Sequence, residues 1–279
     1  MTIFSQSSLE EFSHSYPEVA HKIAHNLLEH PLLTLESIAR LADATPMKDR
    51  ECNSGNVPIG VDGRPEQMIE NLGDRVLNLA DEGVWLSIRH IQNDPAYRAL
   101  MVEILDELRD AIGPKTGSYE QIEGFFFLTS PGGIAPYHFD PEHNLLMQIR
   151  GNKVMTVFPA GDPFYAPDEK HEAYHRGGRP ELVWRDELAA GGKDFSLSPG
   201  EALFVPLMAP HFVRNGDEVS VSLSITWRSE WSFDEAHARI INGMMRKLGL
   251  SPKAPGRWPH HNRGKSLAFR AMRKLGVVD

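Results

Sequence analysis

The strongest constraint on the fold is a series of short apolar runs between Gly124 and Trp227, separated by Gly, Pro and polar residues. The clearest runs read FFFLTS, ALFVP and VSVSLSITW, and a further run extends from Lys153 to Phe158. Each is rich in aromatic or β-branched residues and too short for an amphipathic helix, which is the pattern of a β-strand. Short strands with this punctuation are typical of a sandwich or a jelly roll. We therefore expect a mainly β core.

Helical periodicity replaces this pattern on both sides of the core. Near the N-terminus, apolar residues recur at i, i+4 spacing and predict a helix through Val19, Ile23, Leu27, Ala20, Ala24 and Leu28. Thr34 and Asp94 are expected N-cap residues of two further helices, and Pro95 suits the first turn of the second. Gly113 and Pro114 are expected to end that helix. The core is thus predicted to have helical flanks.

These changes of pattern divide the chain into three parts. Residues 1–118 are predicted to form a helical N-terminal region that packs on the barrel. Residues 119–231 form the predicted jelly-roll catalytic core, and residues 232–279 form a C-terminal helical extension. A capping box of Ser232 and Glu235 is expected to begin the extension, because these residue types at this spacing satisfy the first backbone N–H groups of a helix.

Two longer segments show no regular periodicity. The stretch from Cys52 to Gly63 has the composition of a loop. The insert from Gly161 to Gly192 is acidic and aromatic, and it carries His171 and His175. We interpret it as a solvated loop over the barrel mouth, with contact between these histidines and a substrate as the alternative.

Composition limits the chemistry that the chain can support. A single cysteine, Cys52, excludes an internal disulfide and any multi-cysteine zinc or iron–sulfur site, so a metal would have to use His, Asp or Glu. The net charge of -9 argues against a general nucleic-acid binder. No apolar run approaches the ~20 residues of a membrane span, and the N-terminus lacks the order of a signal peptide. We expect a cytoplasmic protein that engages neither nucleic acid nor membrane.

The C-terminal residues differ from the rest of the chain in charge. Residues 251–279 carry seven Lys or Arg against one acid. Apolar residues recur among them at helical spacing, namely Leu267, Ala271, Met272 and Leu275. Such a helix suits packing or a homodimer through the C-terminal helices better than a membrane surface.

A candidate metal site lies in the stretch PYHFDPEHNLLMQIRGNK. His138 and Asp140 are two residues apart, so on a strand both side chains would point to the same face. The stretch FVPLMAPHFVRN supplies a third candidate, His211, behind a proline-bounded turn. Two histidines and one carboxylate form the facial triad of non-heme Fe(II) oxygenases, which leaves positions open for further ligands. An isolated His-x-Asp is weak evidence, because a solvated surface pair looks the same.

Asn144 and Lys153, which follow the His-x-Asp tripeptide, strengthen the hypothesis of a metal site. Asn144 follows Asp140 closely, and Lys153 lies on the next predicted strand. A lysine there would pair as a point charge with the carboxylate of an anionic ligand. A solvated strand lysine is the alternative interpretation.

The ordered stretches GGIAPYHFDPEHNLLMQIRGNKVMTVFP and SPGEALFVPLMAPHFVRN resemble the Jumonji-C and cupin-like family of Fe(II)- and 2-oxoglutarate-dependent oxygenases. That family includes the asparaginyl hydroxylase that inhibits hypoxia-inducible factor. The resemblance covers roughly residues 120 to 230. It implies a double-stranded β-helix in which His138, Asp140 and His211 bind iron. It further implies that Lys153 pairs with the remote carboxylate of 2-oxoglutarate and that Asn144 lies near its chelating end.

The sequence departs from this family at the cosubstrate pocket. Ala135 stands where the asparaginyl hydroxylase has a threonine, and Trp85 is the expected match for a tyrosine. Thr129, with Phe127 on the same face of its predicted strand, is the expected replacement hydroxyl. Ser222 and Ser224 alternate with apolar residues on another strand, so one serine face is a further candidate. The pocket is thus expected to hold 2-oxoglutarate through altered contacts.

The resemblance implies an oxygenase that hydroxylates a C–H bond and releases succinate and CO2. A protein or peptide side chain is the expected substrate, with a small molecule as the alternative. A metal-dependent cupin that uses Zn or Mn for isomerase or hydrolase chemistry is a second class, and a non-enzymatic binding or regulatory scaffold is a third. Lys153 argues against the second, because such enzymes have no need of a carboxylate partner there.

Overall fold

The computed structural model describes residues 2–55, 58–59 and 70–278. The helices are α1 (Gln6–Ser15), α2 (Leu35–Ala44), α3 (Leu72–Leu77), α4 (Leu79–Glu82), α5 (Pro95–Thr116), α6 (Asp168–Tyr174), α7 (Glu230–Lys247) and α8 (Arg263–Lys274). The strands are β1 (His21–Ala24), β2 (Arg50–Ser54), β3 (Val84–Arg89), β4 (Tyr119–Thr129), β5 (Ile134–His138), β6 (His143–Arg150), β7 (Lys153–Val157), β8 (Lys193–Leu197), β9 (Glu201–Val205), β10 (His211–Asn215) and β11 (Ser220–Ser229).

The strands of the described residues form two antiparallel sheets. The larger sheet has the order β1-β9-β6-β11-β4-β3-β2, and the smaller one has the order β5-β10-β7-β8. Apolar side chains from both sheets meet in one cluster that contains Leu146, Leu203, Met155 and Val213. The sheets therefore pack face to face as a jelly-roll barrel, and the expected mainly β fold with helical flanks is confirmed.

Apolar residues and serines alternate along β11, so one face of the larger sheet is apolar and the other is polar. Val221, Leu223 and Ile225 are buried in the outer core, together with apolar residues of α5 such as Ile104. The intervening serines face the barrel interior, where the pocket described below lies. Burial of the apolar face stabilises the sheet by about 25 cal/mol per Å². The small polar face leaves hydrogen-bonding groups inside the barrel.

Two of the predicted helix starts are confirmed. The side chain of Thr34 accepts a hydrogen bond from the N–H of Ser37 and caps α2. The Asp94 carboxylate accepts from two backbone N–H groups at the start of α5, where Pro95 occupies the first turn. The predicted end of α5 at Gly113 and Pro114 is wrong, because the helix continues to Thr116. It ends at Gly117, whose φ of 86° terminates the helical conformation.

The helix expected through Val19 and Leu28 is wrong. The chain instead forms β1, which pairs antiparallel with β9 at one edge of the larger sheet. Its side chains alternate between buried and exposed, and Ile23 is buried, whereas Val19 and Leu28 are exposed. The i, i+4 spacing was compatible with both structures over so short a segment, and pairing with the sheet decides between them.

The predicted loop from Cys52 to Gly63 is also partly wrong, because its first residues belong to β2. Residues 56, 57 and 60–63 of that prediction lie outside the described residues. Strands β1, β2 and β3 all belong to residues 1–118, so this region is not purely helical and completes the larger sheet. The domain boundaries stay predictions.

The C-terminal extension begins slightly earlier than expected. Helix α7 starts at Glu230, and Ser229 is its N-cap, in a capping box with Ser232 at the third helical position. Glu235 does not take part in the box and instead pairs with Arg239 one turn later. No helix in the described part of the chain has the length and hydropathy that crossing a membrane requires.

Candidate metal centre and adjoining pocket

Three candidate metal ligands converge at one end of the barrel. His138 is the last residue of β5 and His211 the first of β10, and the two lie opposite each other in the strand register. The Asp140 carboxylate oxygens lie 3.8 Å from His138 Nε2 and 3.6 Å from His211 Nε2. One ligand atom from each residue lies within 4.8 Å of the others. This donor set matches the facial triad expected for non-heme Fe(II).

Asp140 reaches this site in a different way from the one the spacing predicted. Strand β5 ends at His138, so Asp140 lies beyond the strand rather than on it. The backbone N–H of Met208 donates to the Asp140 carbonyl at 2.9 Å. Met208 has a φ of 62°, which is uncommon for a residue with a side chain. The turn before β10 is therefore tied to the segment that carries the carboxylate.

Backbone hydrogen bonds orient both imidazole rings. The Nδ1–H of His138 donates to the Pro136 carbonyl at 2.6 Å, and the Nδ1–H of His211 donates to the Ala209 carbonyl at 2.9 Å. Burial and the neighbouring His138 lower the pKa of His211 to about 4. Each Nε2 thus carries a lone pair that is directed toward Asp140, which is the arrangement metal-ligating histidines usually have.

Asn144, at the start of β6, contacts the carboxylate of this cluster. Its Nδ2 donates to Asp140 Oδ2 at 3.3 Å. Asn144 is 4% exposed, so its amide is held within the barrel. The residue expected to lie near the cosubstrate's chelating end therefore lies beside the candidate ligands.

A single pocket joins this cluster to the barrel interior. Most residues proposed from the sequence for metal or cosubstrate binding line it, namely His138, Asp140, His211, Lys153, Asn144, Thr129, Phe127 and Trp85. The further candidates Ser222 and Ser224 are not among its lining residues and instead donate to the side chains of Gln148 and Asn144. Ala135 lines it as well and supplies no hydroxyl group. The sequence thus identified the residues that the fold brings together, while their roles stay proposals.

Lys153 lies at the opposite end of the pocket from the candidate ligands. It is 5% exposed, and burial lowers its pKa to about 7. Within residues 2–55, 58–59 and 70–278, its ammonium group makes neither a side-chain hydrogen bond nor an ion pair. An unpaired buried cation is costly, so this end of the pocket is suited to an anionic group.

Two further buried polar atoms at this pocket have no hydrogen-bond partner among the residues that the structure describes. They are Thr129 Oγ1 and Asn215 Oδ1. The Asn215 amide nitrogen already donates to the Gly133 carbonyl at 2.7 Å, which fixes the oxygen on the other side. Thr129 is fully buried, and its hydroxyl can donate to a carboxylate. The Thr129 hydroxyl and the Lys153 ammonium can both donate to a carboxylate group, whereas Asn215 Oδ1 can only accept a hydrogen bond.

Two aromatic side chains form part of the pocket wall. Trp85 on β3 and Phe127 on β4 stack with ring centroids 5.8 Å apart. Both rings are half-buried, and they lie beside Thr129, which pairs with Trp85 in the strand register. The expected match between Trp85 and a family tyrosine stays a prediction, although the ring lines the cavity.

Sequence reasoning missed four residues of the pocket: Leu146, Met155, Val213 and Asn215. Each lies two or four positions after a predicted residue on the same strand. The period-two rule of β-strands would have identified them, because alternate side chains face the same side of a sheet.

A β-bulge explains one exception to this rule. Ala135 and His138 both line the pocket although they are three residues apart. The register between β5 and β10 shifts between His211 and Val213, so one extra residue of β5 is accommodated there. No sequence signal marks this shift.

The interpretation of the insert as a solvated loop is wrong for its central residues. His171 on α6 is fully buried and contacts Phe139 edge to face, with ring centroids 4.6 Å apart. Tyr174 also contacts the same ring edge to face, with centroids 5.5 Å apart. Because Phe139 lies between His138 and Asp140, the insert supports the segment that carries two candidate ligands.

Comparisons with known proteins agree with this geometry. No protein-family model matches the chain. Lysine-specific demethylase 8 of Danio rerio is 32% identical over 104 residues, which are 35% of this chain and 25% of that protein. Jumonji C domain-containing protein 5 of Drosophila melanogaster is 33% identical over 109 residues, 36% of this chain and 26% of that protein. HSPB1-associated protein 1 of Rattus norvegicus is 30% identical over 151 residues, 50% of this chain and 30% of that protein.

Solved structures extend the likeness to the whole chain. The Escherichia coli protein YcfD aligns with a TM-score of 0.54 and 16% identity, over 100% of this chain and 69% of YcfD. The same ribosomal oxygenase in complex with cobalt and 2-oxoglutarate aligns with a TM-score of 0.52 and 15% identity, over 99% of this chain and 68% of that one. At such identities the likeness shows the fold. The chain spans only a quarter to three tenths of the curated relatives above. In sequence motifs and in fold, the chain is thus confirmed to resemble the Jumonji-C and cupin-like oxygenases.

Proposed function

We propose that this protein is an Fe(II)- and 2-oxoglutarate-dependent oxygenase that hydroxylates a C–H bond and releases succinate and CO2. The observation that carries the proposal is a pocket with a two-histidine, one-carboxylate cluster at one end and the buried Lys153, which has no ion pair within the described part of the chain, at the other. The complex of YcfD with cobalt and 2-oxoglutarate supports it by likeness of fold.

The donor set fits Fe(II). His138, Asp140 and His211 would hold the ion through two neutral imidazoles and one carboxylate, which leaves positions open for cosubstrate and dioxygen. The backbone bonds to both Nδ1 atoms keep each Nε2 facing the cluster. When bound, Fe(II) and 2-oxoglutarate supply the oxidising chemistry for insertion of oxygen into a C–H bond.

The pocket also fits 2-oxoglutarate, a dicarboxylate. Lys153 would pair with the remote carboxylate, and Thr129 would donate a hydrogen bond to the same group in place of the hydroxyl missing at Ala135. Asn144 would lie near the chelating end, because its amide already contacts Asp140. Binding would thus give partners to the Thr129 hydroxyl and the Lys153 ammonium, which have none among the described residues.

Apolar side chains also line the pocket, among them Trp85, Phe127 and Met155. Apolar walls of this kind would limit the entry of water once a ligand is bound. A dry environment strengthens the Lys153–carboxylate interaction and prevents water from competing for the open metal positions. The protein's own part in the reaction is therefore orientation and exclusion of solvent.

A protein or peptide side chain is the proposed substrate class. Relatives named lysine-specific demethylases and a structural neighbour named a ribosomal oxygenase support a macromolecular substrate. Side chains of His138 and Asp140 are 27% and 28% exposed, so a side chain from outside can approach the cluster. A cytoplasmic location and a homodimer through the C-terminal helices stay predictions.

Formation of succinate from 2-oxoglutarate, with Fe(II) and ascorbate, tests the function. Wild-type protein with candidate peptides should form succinate, whereas Asp140→Ala and Lys153→Ala should not. Binding is measured separately without air, by the metal-to-ligand absorption of the Fe(II) and 2-oxoglutarate complex. A protein that binds the metal but neither binds nor consumes 2-oxoglutarate would instead support the metal-dependent cupin class.

A further inference from the structure

Two buried serines on the inner face of β11 make equivalent hydrogen bonds. Ser222 donates to Gln148 Oε1 at 2.7 Å, and Ser224 donates to Asn144 Oδ1 at 2.8 Å. Both serines are at most 1% exposed, and both acceptors are amide side chains of the neighbouring strand β6. The serines differ mainly in what their amide partners contact next.

The Ser222 pair ends in backbone and strand contacts. Gln148 Nε2 donates to the carbonyls of Arg150 and Gly151 and to Ser220 Oγ. None of these groups belongs to the candidate metal cluster. This pair fastens the turn between β6 and β7.

The Ser224 pair ends at a candidate metal ligand. Asn144 Nδ2 donates to Asp140 Oδ2, and among the described residues it is the sole amide or hydroxyl donor to that carboxylate. With Oδ1 held by Ser224, the amide presents N–H rather than an oxygen to Asp140, which avoids repulsion between like partial charges. Asp140 Oδ2 is thus occupied, and Oδ1 is left free to ligate.

We propose that Ser224 is a positioning residue for the metal centre. It acts through Asn144 to restrain the Asp140 carboxylate, and the inference rests on the proposed metal-binding role of the triad. Loss of the hydroxyl leaves Asn144 Oδ1 without a partner in a buried site, so the amide reorients and its bond to Asp140 weakens. Outer hydrogen bonds of this kind typically change metal affinity 10- to 100-fold when they are removed.

Co(II) titration followed by visible absorption tests this inference, with Ser222→Ala as the matched control. Ser224→Ala should bind Co(II) about 10- to 100-fold more weakly than wild type and shift the absorption bands. Ser222→Ala should bind within about 2-fold of wild type, with unchanged bands. Thermal unfolding without metal should show similar losses for the two variants, because each leaves one buried amide oxygen unpaired.

If Ser224→Ala does not fold, Ser224→Cys provides the test instead. A thiol is close in size but a weak donor, so Co(II) affinity should fall in this variant too. Unchanged affinity in the Ser224 variants, or an equal loss in Ser222→Ala, would overturn the inference while leaving the proposed function intact. A wild-type protein that binds no Co(II) would overturn both.

Discussion

Lys153 lies opposite Asn215 in the register between β7 and β10, and neither the lysine ammonium nor the asparagine Oδ1 has a hydrogen-bond partner within the described residues. The barrel therefore buries a cation that has no counter-ion among residues 2–55, 58–59 and 70–278. Natural folds retain such a group when a ligand supplies the missing partner. This relationship makes both stability and ligand affinity depend on the charge of Lys153.

Lys153→Met should stabilise the ligand-free protein by roughly 1–3 kcal/mol near neutral pH, because it removes an unpaired buried cation and keeps the side-chain volume. The lysine pKa is lowered to about 7 in the folded state. Burial of the protonated lysine therefore lowers the free energy of unfolding by its full amount below pH 7. This loss becomes smaller as pH rises toward the ordinary lysine pKa of about 10.4. The gain in the free energy of unfolding, measured in urea, should shrink over the same range.

Lys193→Met on the adjacent strand β8 is the control for this measurement, since that lysine is exposed. Its effect on the free energy of unfolding should stay within about 0.5 kcal/mol at every pH. A destabilised Lys153→Met variant would show that the ammonium is paired in the ligand-free protein.

Affinity for 2-oxoglutarate should fall as pH rises above 7. Below the Lys153 pKa of about 7 the ligand-free protein already carries the cation, so binding takes up no proton. Above it, binding must protonate the amine, and apparent affinity should fall by up to about 10-fold per pH unit. Calorimetry in buffers of different ionisation enthalpy would detect the proton uptake.

Lys153→Arg tests whether deprotonation of Lys153 causes the loss of 2-oxoglutarate affinity above pH 7, because arginine remains protonated at every pH of the measurement. The affinity of this variant for 2-oxoglutarate should be lower than that of wild type, since the larger guanidinium group does not fit a pocket shaped for lysine. The steep fall above pH 7 should nevertheless disappear. A slope as steep as that of wild type would assign the titration to another group.

The candidate site was largely predictable because its chemistry is local in sequence. His138 and Asp140 share a tripeptide, and Lys153 follows them closely in sequence at the start of β7, so residue type and spacing sufficed. The bulge that aligns Ala135 with His138 depends on pairing with β10, a contact distant in sequence. For the same reason β1 was mistaken for a helix, since its partner β9 lies about 180 residues further along the chain.

Thr129→Val should lower the affinity for 2-oxoglutarate about 10-fold with little effect on stability. The change removes a buried hydroxyl that has no hydrogen-bond partner in the described ranges of the chain, and it keeps the side-chain shape. The orientation of Thr129 is restricted, because its Cγ2 lies where a side chain at Gly133 would be, only 2.2 Å from an ideal Cβ. The hydroxyl is therefore directed elsewhere than toward Gly133.

Thermal unfolding with and without 2-oxoglutarate and Mn(II) measures both effects of this substitution. Ala135→Ser provides the converse variant, because it adds a hydroxyl on the pocket wall at the family position. Affinity should rise in Ala135→Ser and fall in Thr129→Val. Wild-type affinity in Thr129→Val would dismiss the threonine as the replacement hydroxyl.

Phe139→Leu should weaken metal binding without abolishing the fold. Phe139 lies between two candidate ligands in sequence, and its fully buried ring contacts His171 and Tyr174 of the insert. A smaller side chain should cost about 1 kcal/mol of stability and allow the His138–Asp140 segment to shift. Co(II) affinity should therefore fall several-fold, because ligand geometry is set by this packing.

Phe12→Leu is the matched control, because Phe12 is equally buried but belongs to the outer core beside Tyr16 and Phe204. It should lose a similar amount of stability and keep wild-type Co(II) affinity. Equal metal affinity in the two variants would mean that the insert stabilises the barrel without influencing its ligands. A loss confined to Phe139→Leu would establish that α6 supports the metal centre through this ring.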